Sequence, residues 1–323
     1  MRELRCLCCG KIINTENASK SELENQWHQK CCNSFFGKGL FPKIDISKES
    51  LEAFATETVS KGFTVAGVQK KLSLHLSKEK EQRLTIVGYP SGYILKPQTE
   101  EFEFLPELEN LVMRMAETVK IKTVPNALIK LDDGPAYITK RIDRIFSGKE
   151  TKLLAMEDFC QLSERLTEEK YKSSYERCAK VIKQYSSKSG LDLSEFFYRL
   201  VFCFITGNSD MHLKNFSLIE SESGSRIFSL SPAYDLLPVN IVLPEDKEEF
   251  ALTLNGKKSN LKLSDFLTFA ASCGINQAAA GKMIHKLMSY KAEFDELINN
   301  SFLTDEYKKK MLSLVEERIS RLK

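Results

Sequence analysis

Between residues 104 and 119 the apolar positions Leu105, Leu108, Leu111, Val112, Met115 and Val119 recur at helical spacing. That recurrence predicts an amphipathic helix with one buried face. Upstream the period changes: Leu72, Leu74 and Leu76 alternate with polar neighbours, as in a half-buried strand. Residues 84–87 and 93–96 predict short strands around a Pro-Ser-Gly turn, and 127–131 with 136–139 predict a hairpin about Asp132-Asp133-Gly134. An acidic-start helix is expected over 47–59. Beyond Arg144 the pattern turns helical, over 156–162, 174–185 and 194–205. The last carries Phe196, Phe197, Leu200, Val201, Phe204 and Ile205, so it belongs to a core. Short strands are expected at 227–230 and 251–254, followed by helical stripes through Phe266, Ala270, Ile284 and Leu287 to the end of the chain.

With 323 residues, the chain is long enough for two domains or one bilobal unit. Apolar residues at 42% and charged residues at 28% are ordinary for a globular protein and argue against a disordered or fibrous one. The formal net charge of +3 comes from interleaved signs, so it neither demands nor excludes nucleic acid. No apolar run reaches the length of a membrane span, and MRELRCLCCG has no signal-peptide core. A cytoplasmic protein without membrane contact is expected. Its nine cysteines, an odd number, fit reduced thiols or metal ligands better than a disulfide framework.

Three stretches carry chemistry. Residues 207–215 read GNSDMHLKN, with Asp210 and Asn215 in the Asp-x-x-x-x-Asn spacing of a phosphoryl-transfer catalytic loop. Such a loop aims a carboxylate at an incoming hydroxyl and turns an amide oxygen to magnesium, while Lys214 would face the transferring group. Its plainer reading is a polar turn after a buried helix. His212 would orient the loop or touch phosphate, or serve only as a structural hydrogen-bonding group. Some twenty residues later SPAYDLLP presents Asp235 after the 227–230 strand, the position of a second magnesium ligand. Cys6-x-x-Cys9 with His28-x-x-Cys31 has the spacing of a tetrahedral zinc site, although Cys8 and Cys32 offer alternative ligands.

Smaller signals surround these. In TVAGVQKKLSL, backbone amides near Gly67 and Val68, with Gln69, Lys70 and Lys71, would cover phosphates; otherwise the segment is a hairpin. Lys96 ends its strand where kinases hold the α and β phosphates of ATP, or else points to solvent. Glu107 and Glu109 read first as caps of the following helix, with a Glu109–Lys96 pair as the alternative. KRIDR, residues 140–144, follows the hairpin as an adenine-binding hinge would, presenting backbone groups around Lys140 to Ile142.

Together GNSDMHLKNFSL, SPAYDLLP, TVAGVQKKLSL, YILKP and KRIDR resemble the HipA family of bacterial serine/threonine kinase toxins. The resemblance covers most of the chain, with its motifs in family order from about residue 60 to 240. It implies an α+β, bilobal, protein-kinase-like fold with a small β-rich N-lobe and a larger all-helical C-lobe. The lobes would fall at 46–140 and 141–323, after a Cys/His-rich segment at 1–45. It implies Asp210 as base, Asn215 and Asp235 as magnesium ligands, Lys96 as the ATP lysine, and Thr64 at the family's autophosphorylated serine position. The compact Cys/His segment in place of a larger N-terminal subdomain resembles the short, HipT-like branch. There the implied partners are a helix-turn-helix antitoxin, through which alone DNA is met, and a small separate protein standing in for the missing subdomain. The implied substrate is an aminoacyl-tRNA synthetase. A non-catalytic antitoxin- or DNA-binding subunit and a small-molecule kinase are the rival readings.

Overall fold

The alternating segments assemble into one mainly antiparallel sheet. The structure, a computed structural model, describes residues 3–46, 71–77, 82–86, 91–147 and 150–323. The chain divides into two compact units: Met1–Asn110 with Val124–Arg141, and Leu111–Thr123 with Ile142–Lys323. The first opens with two short helices, α1 (Lys20–Asn25) and α2 (Gln29–Phe36). Strands β1 (Lys43–Asp45), β2 (Leu72–Leu76), β3 (Arg83–Thr85) and β4 (Tyr93–Pro97) follow. Helix α3 (Leu105–Thr118), which belongs to the second unit from Leu111 on, comes next, then the hairpin β5 (Asn126–Leu131) and β6 (Gly134–Lys140) of the first. The strand order is β1-β3-β2-β4-β6-β5, so β5 forms one edge. The β5–β6 turn falls where expected, with Gly134 at φ +119° after Asp132 and Asp133, a backbone that glycine adopts without strain. The helix expected over 47–59 lies outside the described residues.

The second unit is helical in its bulk but not all-helical, which corrects the expectation. Strands β7 (Arg144–Ser147) and β8 (Glu150–Leu153) form a hairpin. Residues 156–162 divide into strand β9 (Met156–Asp158) and helix α4 (Phe159–Leu162). A capping box between Asp158 and Gln161 sets the helix start, so only its second half is helical. Helices α5 (Tyr175–Tyr185) and α6 (Ser189–Thr206) lead to β10 (Ser217–Glu220) and β11 (Phe228–Leu230), which join β9 in the order β11-β10-β9. The remainder is α7 (Val239–Val242), α8 (Leu263–Ser272), α9 (Gln277–Ser289), α10 (Lys291–Asn299) and α11 (Asp305–Ser320). The strand expected at 251–254 is replaced by isolated bridges, Ser174 with Thr253 and Leu254 with Lys257. Among the described residues no helix is long and apolar enough to cross a membrane.

The core of this unit is aromatic. Phe216 lies 4.9 Å from Phe196 on α6 and 5.7 Å from Phe159 on α4, and Tyr175 lies 4.9 Å from Phe250, between ring centroids. Each such pair contributes about 0.5–1.5 kcal/mol beyond its burial. Phe216 directly follows Asn215, so the loop of interest is bolted to this cluster by its own backbone.

Candidate active site

Helix α6 ends at Gly207, which takes the left-handed conformation at φ 70°. That left-handed backbone at the helix end is what calls for glycine here; a Cβ would also press on the end of the Leu314 side chain. The chain then turns back on itself. Asp210 N–H donates to Asn208 Oδ1 at 3.3 Å, His212 N–H to Asp210 O at 2.8 Å, and Asn215 N–H to His212 O at 3.0 Å. Asn215 Nδ2 donates to Asp210 O at 2.8 Å, which turns Oδ1 of the same amide the other way. The half-exposed Asp210 and buried Asn215 are thus fixed by hydrogen bonds inside one short loop.

The segment before α5 braces this loop. Tyr171 Oη donates to Asp210 Oδ1 at 2.7 Å, and the Tyr171 ring meets His212 edge-on at 5.1 Å. Tyr175 Oη donates to Met211 O at 3.1 Å, and Leu213 N–H to Lys170 O at 3.2 Å. His212 is therefore a packed neighbour of the tyrosine that holds Asp210. Sequence reasoning missed Tyr171, since nothing in its local spacing announces a contact with a residue 39 positions away.

Asp235 returns to the loop by way of the β10–β11 hairpin. Leu218 pairs with Leu230, and Ser231 N–H donates to Ser217 O at 2.9 Å, so the chain after β11 runs back toward the start of β10, next to Asn215. Tyr234 completes the tie: its hydroxyl donates to Lys214 O at 3.0 Å and shares a hydrogen bond with Ser217 Oγ at 2.6 Å. Buried Arg199 on α6 donates to Ser231 O at 3.0 Å, anchoring the same turn. Asp235 itself sits at φ 60°, a left-handed backbone uncommon outside glycine and characteristic of constrained functional turns. The Lys214 ammonium rests on Asp158 Oδ2 at 2.7 Å, while the other carboxylate oxygen of Asp158 caps α4. Asp158, too, was not singled out from sequence.

In the first unit, Lys96 on β4 points inward. Its ammonium meets Glu109 Oε1 at 2.6 Å and lies 5.3 Å over the ring of Tyr137, its cross-strand neighbour on β6. The capping reading of Glu109 gives way to the pair, because the residue faces the sheet and is fully buried. Glu107, two positions earlier, is also buried, and burial pushes its carboxyl up to about 7. The backbone N–H of Lys140 donates to Pro125 O and that of Arg141 to Gly92 O, both at 2.9 Å. Both donors therefore serve the sheet. Burial also lowers the Lys140 ammonium from the usual lysine range. Lys71 borders β2 and is exposed. Thr64, Gly67, Val68 and Gln69 lie outside the described residues. Cys6, Cys9, His28 and Cys31 do come together, with their ligand atoms within 4.8 Å of one another.

A family model for the HipA-like C-terminal domain matches residues 63–293. The chain belongs to this family. Among curated relatives, a Haemophilus influenzae protein named "Putative kinase" is 24% identical over 307 residues, covering 87% of this chain and 88% of its own. Sinorhizobium fredii "Putative kinase Y4dM" is 34% identical over 217 residues, 62% of this chain and 51% of that one. The chain thus spans about half the length of the Sinorhizobium relative. Among solved structures, Shewanella oneidensis HipA, in a complex with HipB and operator DNA, superimposes with a TM-score of 0.70 at 18% identity. That match covers 82% of this chain and 66% of the other. The Helicobacter pylori proinflammatory kinase CtkA superimposes at 0.53 and 16% identity, covering 77% and 93%. The fold of this HipA-like chain is therefore kinase-like.

Proposed function

We propose that this chain is an ATP- and magnesium-dependent serine/threonine protein kinase and the toxin of a bacterial toxin–antitoxin pair. The observation that carries the reading is the tie, through Tyr234, between the Asp210 loop and the turn bearing Asp235. Asn215 Nδ2 donates to Asp210 O, and the Asn215 Oδ1 and the Asp235 carboxylate are hard oxygen donors of the kind magnesium takes. Magnesium accepts few protein ligands beside phosphates and water, so this pair fits it. When bound, ATP and the ion supply the phosphoryl group and Lewis acidity.

The chain's own residues then orient and deprotonate. Asp210, steered by the Tyr171 hydroxyl, takes the proton of the attacking serine or threonine hydroxyl. Lys214 and Lys96 present ammonium groups to phosphate oxygens, and Gly67, Val68, Gln69 and Lys71 cover them. In this reading residues 1–45 are a separate segment, 46–140 the nucleotide-covering lobe with Thr64 as autophosphorylation site, and 141–323 the catalytic lobe. The likeness to a HipA solved with HipB and operator DNA supports an antitoxin as partner, in this reading one of helix-turn-helix type. An aminoacyl-tRNA synthetase is the substrate class the family reading favours.

Label transfer from γ-labelled ATP to purified synthetases tests the proposal. Asp210→Asn is expected to lower transfer about 100-fold or more while nucleotide binding persists. Undiminished transfer by that variant would remove Asp210 as the base. Absence of any transfer or nucleotide binding, with tight antitoxin binding, would favour the non-catalytic reading.

A further inference from the structure

Residues 4–13 form a tight loop closed by a bridge between Arg5 and Ile12. Inside it Cys6 N–H donates to Lys11 O at 2.8 Å and Gly10 N–H to Cys6 O at 2.7 Å, with Gly10 at φ 67°. That turn brings the two thiols of Cys6-x-x-Cys9 to the same side, and glycine supplies the left-handed residue the turn needs. The second pair comes from a helix start. His28 is the residue before α2 and Cys31 lies in its first turn, with the Cys31 N–H donating to His28 O at 2.9 Å.

The four side chains meet. His28 Nδ1 is 3.3 Å from Cys9 Sγ and 3.9 Å from Cys31 Sγ, while His28 N–H approaches Cys6 Sγ at 3.4 Å. The other ring nitrogen, Nε2, lies 3.2 Å from Ile12 O, a carbonyl that can only accept. That bond assigns the proton to Nε2 and leaves the Nδ1 lone pair aimed at the sulfurs, the outer-shell arrangement that orients a metal-ligating histidine. Cys8 and Cys32, which the spacing alone allowed as ligands, are not in the set.

The same segment seals an edge of the six-stranded sheet. Leu128 sits on β5, the edge strand, and both its backbone groups are taken by this segment. Its N–H donates to Leu7 O at 3.0 Å, and its C=O accepts the Trp27 indole N–H at 3.0 Å. Leu7 lies inside the Cys6–Cys9 loop, and Trp27 immediately precedes His28. Both contacts to the edge are therefore adjacent to ligands. Trp27 also packs on Phe36, which meets Tyr93 of β4 at 5.8 Å.

We propose that Cys6, Cys9, His28 and Cys31 bind one zinc ion in a closed structural site that fastens the N-terminal segment to the β5 edge of the sheet. Three thiolates and one imidazole are the soft, tetrahedral donor set that zinc takes, and four protein ligands leave no open position for catalysis. Binding displaces the thiol protons to solvent and forms metal–sulfur bonds with no change of oxidation state. The site lies ahead of the span matched by the family model and is independent of the kinase reading.

Metal analysis of the full chain, purified without added metal, is expected to find about one zinc per chain. Cobalt exchanged into the site should give the intense visible bands of tetrahedral thiolate coordination. Cys9→Ser should lose the metal, and His28→Cys, an alternative zinc ligand, should keep it. Removing zinc from the wild type with a chelator should speed hydrogen exchange at the Leu128 amide about tenfold or more, with recovery on adding zinc. A metal-free chain that ignores added zinc, or one that carries iron, overturns the site. Bound zinc whose removal leaves Leu128 exchange unchanged overturns its fastening role.

Discussion

Each unit contains a lysine–carboxylate pair of almost the same length, Lys96–Glu109 at 2.6 Å and Lys214–Asp158 at 2.7 Å. Their surroundings differ. The first pair is 5% and 1% exposed, the second 35% and 14%. Equal distances therefore do not mean equal energetics. Removing one partner of a buried pair strands a desolvated charge, at about 3–5 kcal/mol, whereas a water-exposed pair contributes about 0–1 kcal/mol. The buried pair holds Lys96 in one orientation over the Tyr137 ring. The open one parks Lys214 beside the loop while leaving its ammonium able to exchange partners.

The largest effect should come from Glu109→Ala, which leaves Lys96 buried without its carboxylate. We expect it to lower unfolding free energy by about 3–5 kcal/mol in denaturant titrations. Lys96→Met combined with Glu109→Leu should recover most of that loss. A small loss in Glu109→Ala would mean that water reaches the pair.

Glu107 sharpens the same point, as a buried carboxyl on the same helix that burial has raised to about 7. The fold favours its protonated form, so its contribution is fully present below the ordinary glutamate range near pH 4.3 and is lost as pH rises through about 7. Glu107→Gln should accordingly stabilise the protein at pH 8 by on the order of 2 kcal/mol and change little at pH 4. Equal melting shifts at both pH values would contradict the buried, raised carboxyl.

The smallest effect is expected at the open pair. Asparagine keeps the cap on α4, so Asp158→Asn should change stability by less than about 1 kcal/mol. Raising salt to about 1 M should erase that difference, since the screening length falls to about 3 Å, yet leave the Glu109→Ala loss nearly intact. A salt-sensitive Glu109→Ala loss would collapse the distinction between the pairs.

Much of this was legible in local pattern. The periodicity of residues 104–119 became α3, the turn at Asp132-Asp133 became the β5–β6 hairpin, and the Asp210–Asn215 spacing became a closed hydrogen-bonded loop. β10 escaped notice because every residue of Ser217–Glu220 is buried, so the two-residue alternation that marks a half-exposed strand is absent. Tyr171 and Asp158 escaped because their roles depend on contacts 39 and 56 positions away.

Short-range features were readable without the fold: the Asp210–Asn215 loop, the Cys6–Cys9 and His28–Cys31 pairs, and the helical and strand periods. Those follow from the reach of a short backbone segment and the 3.6- and 2-residue repeats. The three-dimensional packing was needed to choose the Lys96 pair over the helix cap for Glu109, and to leave Cys8 and Cys32 out of the ligand set. It also made Tyr234 the link from Asp235 to the loop. In each case neighbouring side chains have nearly equal local credentials, and the direction a fold turns them, across a sheet or around a helix, separates them.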